Sequence, residues 1–503
     1  MDQGATLDQD PVAVIDIGSN SGRVVVYRRD AAGMLRILAT TRAALRLVSD
    51  VDTAHLLGPE AVERALDALR DFNAVARGAG ARRVFAVATA AMRDAANGPV
   101  FIETVRRDIG IEIRIIDGER EALYGLRGGI SGLPVESGLF FDVGGGSMQV
   151  SRFRARRLVQ AWSFPLGSLR LSGAFLTSDP PARSEIRALR DHVRDALAAI
   201  GPQLLGSGEV LVGTGGTLRN LAKIDRRQRE YPIARVHGYS LERPRLAEVV
   251  NELAARKAKR RDEVPGLSGE RGDSIVGGGL AIDVLASEVG APEVLVSGQG
   301  VREGLVQSLF EADAPTVSAV REASLRSLTS RFAGWAESAA RHRASIAEAL
   351  GNALGVRADR ELGAALGRAA RVMDIGRSVD FFDRHEHAAR IVLATEVFGF
   401  SHREIALTAA VIAAAGDEDD AGKELAPLVH KDDRVEAAGA ILALADDIVE
   451  RCPPDVSPDI EAVAGPGGFV VTVGGLAGWR ARKTGPRFER VLGMPLTVRA
   501  KAT

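Results

Sequence analysis

One short word occurs twice in this chain, and that repetition constrains the fold more than any other feature. Asp16-Ile17-Gly18-Ser19-Asn20-Ser21-Gly22-Arg23-Val24 returns as Asp142-Val143-Gly144-Gly145-Gly146-Ser147-Met148-Gln149-Val150. Each copy follows an apolar β-rich run, residues 12–17 or 139–143, and precedes a second one. Each reads as an acid, a tight turn of small residues and then a hydroxyl. Self-similarity at the head of two alternating strand–helix segments is the mark of a duplicated unit. Two halves, each with its own sheet, are expected.

The periodicity between the copies supports this. Residues 12–17, 23–28, 83–88, 111–116 and 139–143 are short β-branched runs that read as strands. Residues 59–77 place Val62, Leu66, Leu69, Phe72 and Val75 at helical spacing, and residues 100–109 and the segment from Glu119 read as further helices. Two more strands lead into small-residue loops. Residues 210–212 precede Gly213-Thr214-Gly215-Gly216-Thr217 and a helix, and residues 293–296 precede Ser297-Gly298-Gln299-Gly300 and a helix over 301–310. From about residue 312 to 451 the chain is rich in Ala, Leu and Arg with helical periodicity. Beyond Cys452, residues 468–473 and 490–498 read as β-rich. The expected fold class is α/β: a duplicated core over 1–125 and 126–311, a helical domain over 312–452 and a small α+β unit over 453–503.

Composition narrows the functions open to the chain. Its 503 residues are 46% hydrophobic and 26% charged, the profile of a globular protein with ample core. Aromatics are 5%, too few for base-stacking platforms, and the formal net charge is −1, so no global field draws in nucleic acid or membrane. Cys452 is the single cysteine, which excludes an internal disulfide and suits a reducing cytoplasm. Residues 1–10 are polar and acidic, unlike a signal peptide, and no run of about 18 apolar residues exists to cross a membrane.

Glycine-rich loops let backbone N–H groups converge on an anion, and a helix starting beyond the loop adds its positive end. Any one such loop is as readily a plain tight turn, but four of them, each after a strand, point to phosphate. Asp16 and Asp142 stand at strand ends beside two loops, where a carboxylate can hold Mg²⁺ or simply close an Asx-turn.

Two halves headed by these words, with Gly213-Thr214-Gly215-Gly216-Thr217, resemble the acetate kinase, sugar kinase, Hsp70 and actin superfamily, with its actin-like (ribonuclease H-like) core. Adding Ala88-Thr89-Ala90-Ala91-Met92-Arg93 and Gly118-Glu119-Arg120-Glu121-Ala122, the order of motifs is similar to that of the exopolyphosphatase / guanosine pentaphosphate phosphatase (Ppx/GppA) family. The residues alone do not choose between Glu119 and Glu121 as general base; the resemblance implies Glu121. It further implies that Gly18, Ser19, Asn20, Ser21 and Arg23 hold phosphate from one side. Gly144, Gly145, Gly146, Ser147, Gly213, Thr214, Gly215, Gly216 and Thr217 would hold it from the other. Arg93 would clamp phosphate oxygens, and Asp142 with Asp16 would hold Mg²⁺, with Mn²⁺ as an alternative and K⁺ as a further candidate. Gln149 departs from the pattern: the family often has a glutamate there, and a neutral amide cannot act as a base or charged ligand, though it can hydrogen-bond a water.

The resemblance implies a cytoplasmic homodimer that hydrolyses inorganic polyphosphate, with guanosine pentaphosphate as the second candidate substrate and no nucleic acid or membrane partner. An actin-like kinase and a non-catalytic sensor of either ligand are the rivals. In the helical region, residues 371–378 resemble the core of an HD-type domain with Met373 in place of its histidine. His342, His385, His387 and Asp446 lie nearby in sequence. A thioether is a poor ligand for a hard cation, so a degenerate HD-like domain, structural or substrate-guiding, is expected. Basic runs at Arg226-Arg227-Gln228-Arg229 and Arg256-Lys257-Ala258-Lys259-Arg260-Arg261, and Arg152, Arg154, Arg156 and Arg157, can line a channel for a long polyanion, although a solvated face is the commoner role.

Overall fold

Asp16 and Asp142 each lie near the end of the central strand of a sheet. This is a computed structural model. It describes residues 10–501 apart from 48–50, 52–54, 202–203, 270, 312, 417–423, 431–433, 454–455, 457–458, 475 and 477–478. Residues 1–9, read above as unlike a signal peptide, and the boundary residue 312 fall outside this range. Contacts divide the chain into two compact units, Met1–Tyr231 with Val236–Ala323, and Pro232–Arg235 with Ser324–Thr503.

In the first unit, β1 (Val12–Ile17), β2 (Ser21–Arg29), β3 (Leu35–Ala44), β4 (Arg83–Ala88) and β5 (Ile113–Ile115) form a sheet of order β3-β2-β1-β4-β5. A second sheet comprises β6 (Gly138–Val143), β7 (Met148–Arg154), β8 (Arg157–Phe164), β9 (Val210–Thr214), β10 (Tyr239–Glu242) and β11 (Glu293–Val296), in the order β10-β11-β9-β6-β7-β8. Leaving out β10, the two orders coincide. The register coincides as well: Asp16 faces Arg23 across β1–β2, and Asp142 faces Gln149 across β6–β7. The partner on the other side is parallel in both, β4 for β1 and β9 for β6. The duplicated word is therefore a duplicated sheet.

Burial explains why these segments are strands. VAVIDI and GLFFDV are almost wholly buried, as central strands covered on both faces must be. The helices α1 (Pro59–Gly78), α2 (Gly98–Ile109), α3 (Gly118–Ser131), α4 (Gly216–Gln228), α5 (Ile275–Glu288) and α6 (Val301–Phe310) supply that cover. In α1, Ala61, Ala65, Leu69, Phe72 and Ala76 form the stripe that packs on the first sheet. The helix α5 is apolar nearly all round and is buried within the core of the second. A close crossing joins α3 to α6. A Cβ on Gly128 would lie 2.0 Å from the Gly300 carbonyl oxygen, and one on Gly304 would lie 1.9 Å from that of Tyr124. Only glycine permits this approach.

The second unit contains the expected helices, among them α7 (Glu337–Ala353), α8 (Arg360–Val372), α9 (Arg384–Ala394), α10 (His402–Ala415) and α11 (Val435–Val449). Its C-terminal end carries β12 (Ile460–Gly465), β13 (Gly468–Val473) and β14 (Leu496–Ala500) in one sheet. The stretch 490–498, read as one β segment, is divided. A helix over Gly485–Leu492 ends at Gly493, whose φ of 68° caps it, and only then does β14 begin.

The residues read as HD-like converge on an arginine. The Arg343 guanidinium is buried between Asp374 (2.5 Å) and Asp446 (2.7 Å) and donates a third bond to the Ala370 carbonyl at 3.1 Å. Arg384 reaches Asp446 at 2.7 Å and Arg377 reaches Asp374 at 2.7 Å, so both acids are neutralised by cationic side chains. Burial, with Arg384 beside it, pushes His385 down to about 4, which keeps its imidazole neutral. Among the described residues no group of three His, Cys, Asp or Glu side chains is arranged to hold a metal.

Candidate active site

The strand-end loops of the first unit meet around a cleft of about 140 Å³. From the first sheet come Asp16, Gly18, Ser19, Asn20 and Ser21; from the second come Asp142, Gly144, Gly145, Gly146 and Ser147, then Thr214, Gly215 and Gly216. The two copies of the word make the same turn. The Gly18 N–H donates to the Ser21 carbonyl at 3.2 Å, and the Gly144 N–H donates to that of Ser147 at 2.9 Å. The loops approach each other closely, for a Cβ on Gly145 would lie 3.0 Å from that of Asn20. Gly215 has φ of 104°, and a Cβ there would strike the Val143 carbonyl oxygen at 2.5 Å, so this turn requires glycine.

Structure separates the two glutamates that sequence left equivalent. Asp117 caps α3 by accepting from the Arg120 N–H at 2.8 Å. In the turn that follows, Glu119 is exposed while Glu121 is buried and lines the cleft. The Glu121 Oε2 atom is buried and accepts no hydrogen bond; the nearest cation is Arg93 at 3.7 Å. Burial, reinforced by the Asp142 carboxylate, pushes the Glu121 carboxyl up to about 8 against the opposing pull of Arg93. Asp142 is lifted to about 6 by burial, with Arg219 opposing and Asp16 adding. Burial likewise raises Asp16, although Arg302 lies 3.0 Å from it.

Not every expected residue reaches the cleft. Gly213 and Thr217 lie behind it. A Cβ on Gly213 would meet the Phe141 ring at 2.3 Å, and Thr217 is fully buried beneath Gly278. Thr214 lines the cleft, but its hydroxyl donates to the carbonyls of Ser297 (3.1 Å) and Gln299 (2.8 Å), so it anchors a neighbouring loop. Arg93 and Arg23 stand outside the lining. Arg93 donates to the Ile116 carbonyl at 2.8 Å and lies beside Glu121, which suits it to tune that acid. Gln149 does line the cleft: its amide donates to the Ser147 hydroxyl at 2.8 Å, leaving the hydroxyl proton of Ser147 free to point elsewhere.

Three lining arginines escaped the sequence reading: Arg219, Arg271 and Arg302. Arg219 stands one turn into α4 and donates to the Gly298 carbonyl at 2.9 Å; burial lowers it to about 10, still charged at neutral pH. Arg302 opens α6 and pairs with Asp16, while its neighbour Glu303 accepts from the Tyr27 hydroxyl at 2.5 Å and the Gly300 N–H at 2.7 Å. The available signal was position for two of them: Arg219 and Arg302 each follow a small-residue loop at the start of a helix, whereas Arg271 lies in the loop before α5. Conversely, the run from Arg152 to Arg157 is not a channel face. Arg152 pairs with Glu209 at 2.6 Å, Arg157 pairs with Asp313 at 2.9 Å, and Arg156 is buried against four carbonyls at the end of α3.

Two matched sheets, facing glycine loops, cationic side chains and a buried carboxyl raised toward neutrality define the class: a hydrolase acting on phosphoanhydride bonds, built on a duplicated actin-like core. Residues 25–312 match the model described as the Ppx/GppA phosphatase family, more than half of the chain. The chain belongs to that family. Exopolyphosphatase 2 of Mycobacterium tuberculosis is 30% identical over 313 residues, spanning 59% of this chain and 98% of that protein. Exopolyphosphatase 1 of the same organism is 27% identical over 325 residues, spanning 62% and 92%. Among solved structures, the Aquifex aeolicus Ppx/GppA family member superposes with a TM-score of 0.53 at 25% identity, covering 60% of this chain and 97% of that one. No helix among the described residues is long and apolar enough to cross a membrane.

Proposed function

We propose that this chain is an exopolyphosphatase, releasing orthophosphate from the end of inorganic polyphosphate with Glu121 as general base. The observation that carries the reading is the buried Glu121 carboxyl, lifted toward neutral pH with an Oε2 that accepts no hydrogen bond, in the lining of a cleft of glycine loops. A base poised near the working pH is what water activation needs. In-line displacement spreads negative charge over the equatorial oxygens of the transferred phosphoryl group. N–H groups of the 19–21 and 145–147 loops, with Arg219 and Arg302, would stabilise that charge. Names borne by the relatives favour the polymer over guanosine pentaphosphate.

The residues present fit Mg²⁺. Asp142 and Asp16 line the cleft with Glu121 and both raise it, and Asp16 raises Asp142, a crowding of negative charge that a divalent cation relieves. Their donors are all oxygen, and Mg²⁺ is commonly held by one or two carboxylates together with substrate phosphates. Asp142 would hold it, with Asp16 released from or shared with Arg302. When bound, the ion would neutralise phosphate oxygens.

Replacing Glu121 by Gln keeps the shape of the site and removes the base. Phosphate release from long-chain polyphosphate is expected to fall by about 10²–10⁴-fold with substrate binding retained. Undiminished release from the variant would refute the assignment. Guanosine pentaphosphate assayed in parallel ranks the two substrates.

A further inference from the structure

The helix α4 leaves the cleft carrying a row of cations of which the hydrolytic reading uses only the first, Arg219. Arg219, Lys223 and Arg227 stand four residues apart, so they share one face and rise about 12 Å along it. Arg219 lines the cleft, whereas Lys223 and Arg227 are exposed, so the row leads from the site outward. The opposite face, with Leu218, Leu221, Ala222 and Ile224, is buried in the core.

Arg219 faces Asp142 and Glu303 in the cleft, but beyond it the row lacks counter-charges. Among the described residues Lys223 and Arg227 make no side-chain hydrogen bond or ion pair. The charges acting most strongly on Lys223 are Arg219, Arg227, Arg226 and, from β2, Arg23, all of them positive. The acid of α4, Asp225, points inward, fully buried, and is bound by the Tyr239 hydroxyl at 2.6 Å and Arg245 at 2.9 Å. Arginines nearby are paired: Arg229 with Glu242 at 3.0 Å and Arg256 with Glu252 at 2.9 Å. Like charges four residues apart destabilise a helix. An unpaired row beginning at a phosphate-binding cleft is therefore arranged for an extended anion.

We propose that the outer face of α4 is a binding track for the distal part of a linear polyphosphate, whose terminal unit occupies the cleft. This rests on the polyphosphatase reading above and adds where the rest of the chain lies. Contacts of this kind are electrostatic and weaken with salt. Lysine and arginine heads on flexible stems also hold successive units without fixing one register.

The test compares wild type with the double variant Lys223→Gln/Arg227→Gln and the charge-keeping Lys223→Arg/Arg227→Lys. Substrates are tripolyphosphate, too short to run along α4, long-chain polyphosphate and guanosine pentaphosphate. Removal of both charges is expected to raise the long-chain KM by about tenfold and to lower the slope of log KM against log salt by about one to two. The kcat for either polyphosphate, and the tripolyphosphate KM, stay within about twofold. The charge-keeping variant behaves as wild type. A long-chain KM that does not move, or moves equally with tripolyphosphate, overturns the track. A KM rise confined to guanosine pentaphosphate overturns it too, by assigning the row to the nucleotide. Wild type that releases no phosphate from any substrate refutes the enzymatic reading instead. Equilibrium binding of the two polyphosphates to the same proteins then decides the track separately: weaker long-chain binding by the Gln variant supports it, and equal binding overturns it.

Discussion

Glu121 stands where two effects oppose each other. The first turn of α3 offers partial positive charge, which favours the carboxylate. Burial and the Asp142 carboxylate act the other way and prevail, lifting the group to about 8. The native state therefore binds a proton that the unfolded chain gives up near 4.3, and this site makes folding less favourable as pH rises from there to about 8. With Glu121 in its proposed role as base, activity would run in the opposite sense, because only the ionised form accepts a proton from water. kcat/KM is expected to rise with pH through an acid limb that bound Mg²⁺ lowers from the metal-free value of about 8, and Arg93→Met is expected to move that limb to higher pH at fixed Mg²⁺, since Arg93 opposes the lift. A pH profile of both proteins checks this. A limb that stays put or moves downward in the variant would dissociate Arg93 from the acid.

Among the elements, the interior of the helical unit is organised by a cation in place of a metal. Arg343, on α7, joins Asp374, which follows α8, to Asp446 on α11. Arg343 and Arg384 hold the Asp446 carboxyl below the usual range against the effect of burial. Its stabilising contribution is present above the unfolded value of about 3.9 and is lost as pH falls through the lower native one. Arg343→Met leaves two buried acids without their shared partner and is expected to cost about 3–5 kcal/mol, read from denaturant midpoints. A loss below about 1 kcal/mol would show that Arg377 and Arg384 suffice. The same comparison shows what the chain's order of residues discloses. Both duplicated words and the central strands were legible, because buried strands are apolar runs and turn glycines are local signals. The strand β3 was not, since it is an edge strand whose Arg36, Thr40 and Arg42 blur the pattern. Arg343 was invisible beside the histidine and aspartates that drew the HD-like reading, because only packing of α7, α8 and α11 puts a guanidinium between the acids. Arg219 and Arg302 were missed for the same reason: what makes them site residues is the sheet order that gathers four strand-end loops at one cleft.

In the molecule as a whole, duplication does the positioning. Two sheets of the same order and register each present a glycine turn, and the chain between them, α3, delivers one acid to where the turns meet. Such a site needs no covalent intermediate; it needs a water, a base and donors for phosphate oxygens. The neutral Gln149 stands in the register position of Arg23, and Glu121 is the carboxyl in the cleft lifted furthest, to about 8. The most direct test of the account is a single turnover on polyphosphate in ¹⁸O-enriched water, with the label followed into products. Attack of water on the terminal phosphorus predicts one solvent oxygen in each released orthophosphate and none in the shortened chain. Label in the shortened chain, or orthophosphate free of label, would contradict it.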